Sequence, residues 1–220
     1  MSYRSQQVLR EVSLEVGASE SVAITGPSGS GKTSLLYSLS GLEPRATGRV
    51  RLLGHDLAGL SADALADLRL RHVGFVFQSA DLVPELTLRQ NIALPLELAG
   101  VRRRAVAARA DELIATLGLA GSADRRPAQV SGGQAQRCAV ARAVVASPSV
   151  VFADEPTGAL DQANREVVLG LLLDQVSQIG SALITVTHDA EVAARFERRI
   201  GLADGAVVAD IGTRDAAHAE

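Results

Sequence analysis

The sequence predicts an α/β fold: a P-loop core on a mostly parallel sheet, an antiparallel β edge subdomain and an inserted helical subdomain. Three observations predict it. Short apolar runs repeatedly end in polar residues, as the strands of a buried parallel sheet do at their carboxyl edge. One such run, Glu20–Thr25, leads through the glycine-rich stretch Gly26–Ser34 (GPSGSGKTS) into an apolar-patterned segment from Thr33 to Ser40. Between residues 79 and 147 the pattern changes to the 3.6-residue spacing of helices. The 220 residues suit one domain. Its core is expected over about 1–78 and 148–220, with the helical subdomain over about 79–147.

The glycine-rich stretch fits G-x-x-x-x-G-K-[ST], in which the backbone curls so that successive N–H groups face phosphate oxygens at a helix N-terminus. Gly26, Pro27, Ser28, Gly29, Ser30, Gly31, Lys32, Thr33 and Ser34 are therefore candidate nucleoside-triphosphate contacts. Lys32 is the only lysine among 22 basic residues. A compact ammonium fits between phosphates where a planar guanidinium fork does not.

Before the loop, Val8, Val12, Leu14 and Val16 alternate with polar residues as in a half-buried edge strand. Tyr3, just ahead, is a candidate to stack on a purine base. After the loop helix, Gly48–Gly54 reads as another edge strand and Ser61–Arg71 as a short helix. His72–Gln78 reads as a buried strand that brings Gln78 to the carboxyl edge. Val106, Ala110, Leu113, Ile114 and Leu117 share one helix face ended by Gly118, and Arg102–Arg104 open that helix. Ser131 is placed to cap a helix from Ala135 to Ala146, with Gly132 and Gly133 leaving N–H groups bare at its positive end beside Gln134.

Ser149–Ala153 is the most apolar strand and delivers Asp154 and Glu155 together, an arrangement suited to magnesium-dependent phosphoryl chemistry. Gly158–Asp161 starts a further helix through Val168, Leu172 and Val176. Ser181–Thr187 is a buried strand ending at His188, and Arg199–Ile211 reads as a hairpin turned at Asp204-Gly205.

A net charge of −3 supplies no basic footprint, so no nucleic-acid partner is expected. The single Cys138 excludes an internal disulfide and a zinc cage. No run approaches the roughly 18 apolar residues that span a bilayer, and the chain is expected to be soluble when taken alone.

With Gly26–Thr33, Gln78, Ser131–Gln134, Asp154-Glu155, Asp161 and His188 in this order, the chain closely resembles the ATP-binding subunit of an ABC transporter. The SGGQ stretch before the acidic strand is the most specific part. Gly74–Gln78, Leu82–Pro84, Asn91–Leu96 and Glu155–Asp161 look most like the lipoprotein-release and macrolide-export branch. The resemblance implies ATP and Mg²⁺ as cofactors. It assigns Lys32 and the loop amides to the β- and γ-phosphates, Thr33, Asp154 and Gln78 to the metal, Glu155 to polarising water, and His188 to the γ-phosphate. Gln78 would also sense the membrane partner. Ser131, Gly133 and Asp161 would face the ATP or surface of a second copy. It further implies a membrane permease partner, a homodimer closed around two ATP, and a cytoplasmic place on the inner face of the cell membrane.

Two departures stand out. Only Met1 and Ser2 precede Tyr3, where the family has another strand, and the loop ends Lys-Thr-Ser where Lys-Ser-Thr is more usual; the hydroxyl swap should keep a magnesium ligand. The alternatives are a soluble ABC-type ATPase of DNA repair or translation, an amino-acid-type importer ATPase, and a protein that uses ATP only to dimerise. A GTPase would need a second lysine in Asn-Lys-x-Asp.

Overall fold

The computed structural model describes residues 9–43 and 48–212. Six strands form one sheet: β1 (Ser21–Thr25), β4 (Val73–Val76), β5 (Val150–Asp154), β6 (Ala182–Val186), β7 (Arg198–Ala203) and β8 (Ala206–Gly212), in the order β4-β5-β6-β1-β7-β8. The pairs from β4 to β7 are parallel, and β7–β8 is the antiparallel hairpin expected at Asp204-Gly205. Two further short strands, β2 (Arg51–Leu52) and β3 (His55–Asp56), pair only with each other.

Parallel strands need helical crossovers, which place helices on both faces. Side-chain alternation shows the division. Val22, Ile24, Val150 and Phe152 meet helix α1 (Lys32–Ser40) and α2 (Ala62–His72) through Leu35, Leu36 and Leu68. Ala23, Val151, Ala153 and Leu183 meet the opposite layer of α3 (Leu88–Leu98), α4 (Arg103–Thr116), α5 (Gly132–Val144) and α6 (Gln162–Gln178). A four-residue helix, α7 (Ala190–Ala193), follows β6. Residues 79–147 contain helices and turns and no strand.

The caps agree with the sequence. The side chains of Ser61, Thr87, Ser131 and Asp161 each accept from a backbone N–H of the following helix, and Thr87 and Ser131 form capping boxes with Gln90 and Gln134.

The expected N-terminal edge strand differs. Residues 9–16 form no strand, although Leu9, Val12, Leu14 and Val16 pack on the apolar cluster beneath α1. Glu11 has φ 47°, which interrupts an extended run, and a strand needs a neighbour to complete its ladder. The segment is held instead by Arg10 N donating to Gly205 O and by Arg198 donating to Glu15 O. Of Gly48–Gly54, only Arg51 and Leu52 pair as strand.

One contact fixes how closely α5 approaches the sheet. A Cβ on Gly74 of β4 would lie 2.3 Å from the carbonyl oxygen of Ala143. Gly74→Ala is expected to cost about 1–3 kcal/mol by overpacking, read as a lower midpoint in urea unfolding.

Candidate functional site

Four parallel strands that are neighbours in the sheet, β4, β5, β6 and β1, end on one edge. That edge receives Gln78, Asp154 with Glu155, His188, and the loop Gly26–Ser34 in this spatial order. Register holds the ends level: Asp154 is opposite Val186, and Val186 opposite Ile24.

The loop itself is tightly constrained. Gly26 passes so close to β7 that a Cβ would lie 2.0 Å from Leu202 O. Gly31, at φ 98°, takes the left-handed conformation that turns the chain into α1. Buried Lys32 donates from Nζ to Gly26 O at 2.8 Å and to Pro27 O at 2.9 Å, holding the loop curled around its ammonium. Ser30 is buried and its hydroxyl has no partner among the described residues. A curled loop, a buried cation, an orphaned hydroxyl and a helix N-terminus fit a phosphate group.

Beside it, Thr33 Oγ1 donates to Asp154 Oδ1 at 3.2 Å. Burial pushes the Asp154 carboxyl up from its usual range, against hydrogen bonds from Thr33 and Tyr37 that favour the charged form. Burial and the Asp154 charge in turn push Tyr37 up to about 12. A buried carboxylate beside a hydroxyl is a hard oxygen pair of the kind Mg²⁺ takes along with phosphate oxygens and water, so these residues fit that ion.

Glu155 leaves the strand at φ 46°, left-handed for a non-glycine residue, a strain that clusters at functional sites. Its Oε1 accepts from His188 N at 3.0 Å and lies 2.6 Å from His188 Nδ1. The His188 turn is fastened from behind, where Arg165 of α6 donates to Asp189 and Asp189 caps α7. Gln78 lies over the turn after Glu155, its Nε2 3.1 Å from where a Gly158 Cβ would stand. A cleft of about 270 Å³ opens beside its loop, lined by residues including Leu70, Phe75, Phe77, Pro95 and Arg142.

Ser131–Gln134 forms a separate group. Ser131 and Gly132 are exposed at the start of α5, and the hydrogen bonds of this turn stay within it, within α5 or with Arg137. Among the described residues none reaches the loop Gly26–Ser34. Gly133 is buried against α6: a Cβ would lie 2.5 Å from Asn164 Oδ1, while Asn164 also bonds both carboxylate oxygens of Asp161. Those bonds hold the exposed Asp161 carboxyl below the usual range. Tyr3 lies outside the described residues.

Residues 9–158 match the family described as ABC transporter, more than half of the chain. The chain belongs to this family. As a cassette it is 46% identical to the macrolide export ATP-binding/permease protein MacB of Shigella flexneri and of Escherichia coli K12, over 92% of its own length and 31% of theirs. It thus spans about a third of these relatives. The dimeric, post-hydrolysis structure of the ATP-binding cassette MJ0796 bound to ADP and Pi superposes with a TM-score of 0.86 at 35% identity, covering 96% of this chain and 94% of that one. A second dimeric MJ0796 structure, described as a bacterial ABC transporter cassette, gives 0.86 at 37% identity over 93% and 90%. The cassette fold agrees with the P-loop α/β class read from the sequence. Among the described residues no helix is long and apolar enough to cross a membrane.

Sequence reading passed over Gln136, Arg142, Asn164, Arg165 and Asp189. Each is a polar residue in or beside a helix, and nothing in its spacing separates it from a solvated one.

Proposed function

We propose that this chain is an ATP-hydrolysing subunit of an ABC transporter that dimerises around two ATP, with Mg²⁺, and drives a membrane permease of the macrolide-export or lipoprotein-release type. The observation that carries the reading is the division of the site. The phosphate grip sits on the strand edge, whereas the bare helix end at Ser131 and Gly132 is exposed and unconnected to it. A second copy brings that positive helix end to the other side of the nucleotide. The dimeric state of the MJ0796 cassettes supports this.

In this reading Lys32 and the loop amides hold the β- and γ-phosphates, and Thr33 and Asp154 hold Mg²⁺, with Gln78 at its edge. When bound, the ion supplies neutralisation of charge on the phosphates. Glu155 orients the attacking water and accepts its proton at Oε1 or Oε2. His188 holds Glu155 through Nδ1 and reaches the γ-phosphate. Tyr3 stacks on adenine. Asp161 and Gly133 shape the dimer face. Residues 79–147 act as a helical subdomain carrying Ser131–Gln134, and the apolar cleft beside the Gln78 loop favours permease contact there. The permease places the chain on the cytoplasmic face of the membrane.

Complementation tests the shared site. Lys32→Ala lacks the grip. Gly132→Asp keeps the fold, since no atom but Leu160 Cδ2, 3.8 Å away, stands near a Cβ there, and adds a carboxylate facing the partner's triphosphate. Each variant alone is expected to be inactive, while an equimolar mixture, with one intact site per heterodimer, releases phosphate. A mixture as inactive as its components sinks the shared-site reading.

A further inference from the structure

Gln78 itself makes no side-chain hydrogen bond among the described residues, yet its backbone neighbours are held firmly. The strand β4 ends at Val76. From there the chain is gripped by side chains of the helical layer and by none from the sheet. Gln136, 2% exposed in the middle of α5, donates from Nε2 to Phe77 O at 2.9 Å. Arg142, nearly two turns further along α5, donates from Nη2 to Ala80 O at 2.9 Å and from Nη1 to Asp81 O at 2.7 Å. Fully buried Asn91 of α3 accepts from Val83 N and donates to the carbonyls of Val83, Leu86 and Thr87.

The grip is needed because the loop is strained. Ala80 and Asp81 have φ of 63° and 44°. Left-handed backbone costs a non-glycine residue roughly 1–2 kcal/mol and persists where surrounding contacts over-determine it. In this turn the two nitrogens of one guanidinium, spread in a fixed fork, meet two consecutive carbonyls. Arg142 thereby selects the conformation that follows Gln78, and Gln136 selects the one that precedes it.

We propose that Gln136 and Arg142 are positioning residues for Gln78: they bind its loop to the flank of α5, the helix whose first turn is Ser131–Gln134, so that the two move as one body. A single helix joins the parts, with Ser131 and Arg142 about 16 Å apart along it at 1.5 Å per residue. A displacement of Ser131–Gln134 on meeting a second copy's nucleotide reaches Gln78 through these three hydrogen bonds, and a push on the Gln78 loop reaches Ser131 the same way. The inference rests on the proposed ATP hydrolysis and on the proposed second copy, whose nucleotide meets Ser131–Gln134.

The test compares the full chain with Gln136→Met, Arg142→Met and Arg142→Lys, each also combined with Gln78→Ala. Met matches Gln in length and keeps the core filled. Gln136→Met and Arg142→Met are expected to lower kcat for MgATP about tenfold, a misplacement effect, with KM changed less than about twofold. Arg142→Lys, which keeps a charged donor but not the fork, recovers part of that loss. Adding Gln78→Ala to Gln136→Met lowers kcat little further, because both act through one side chain. In the unaltered chain, amide exchange of residues 77–87 and of the first turn of α5 slows together when a non-hydrolysable ATP analogue and Mg²⁺ are added. The proposal is overturned by kcat within twofold of the parent in folded Gln136→Met, by multiplicative effects with Gln78→Ala, by Arg142→Lys no better than Arg142→Met, or by protection of only one of the two segments. A parent chain without Mg²⁺-dependent phosphate release fails the functional reading instead, a result separate from these.

Discussion

Replacing Glu155 by Gln is expected to lower kcat by roughly 10²–10⁴-fold, the usual contribution of a positioned general base, while leaving ATP bound. The amide matches the carboxylate in shape, and its oxygen still accepts from His188 N, a bond of 3.0 Å in the parent. It cannot take a proton from water. In the proposed dimer the nucleotide is therefore expected to stay intact between two copies, with no hydrolytic route to reopening. Phosphate release measures the first effect, and size-exclusion chromatography with ATP and Mg²⁺ measures the second as a shift from monomer to dimer. Hydrolysis at the parent rate would show that Glu155 is not the base.

Lys32→Ala is expected to weaken ATP binding by about 10²-fold or more. A hydrogen bond to a charged group contributes about 1.5–3 kcal/mol, two phosphate contacts give about 3–6 kcal/mol, and each 1.4 kcal/mol is tenfold in Kd. The loop loses shape as well, because Nζ now bridges Gly26 O and Pro27 O. Lys32→Arg should not rescue it, since the guanidinium fork is too wide for the curl that the ammonium fits. Titration calorimetry with ATP decides; a Kd within threefold of the parent would remove Lys32 from the phosphate grip.

Much of the site was legible because its chemistry is local. The glycine loop and its helix, the Ser131 and Asp161 caps, and the carboxylates leaving an apolar strand are all set by residues within a few positions of one another. Their spacing therefore states their conformation. The edge segment at residues 9–16 shows the limit of such spacing. Its alternation correctly turned Val12, Leu14 and Val16 inward, but a strand also requires a neighbour's backbone, and Glu11 interrupts the run.

Gly133 shows a second limit. From spacing it is a glycine that bares a helix end. In the fold it also packs against Asn164, whose side chain holds Asp161, and a Cβ there would displace that side chain.

By itself the sequence determined the candidate residues for the chemistry, the strand, loop and helix context of Lys32, and the family to which the cassette belongs. Only the tertiary structure decided the order in which Gln78, Asp154, His188 and Lys32 stand along their shared edge, because strand order β4-β5-β6-β1 is a matter of pairing between distant segments. It alone decided that Ser131 stands apart from them and that Gln136 and Arg142 grip the Gln78 loop. The physical reason is the same in each case: a hydrogen bond between residues 59 or 62 positions apart leaves no periodic trace in the chain, and burial turns a common polar side chain into a necessary one.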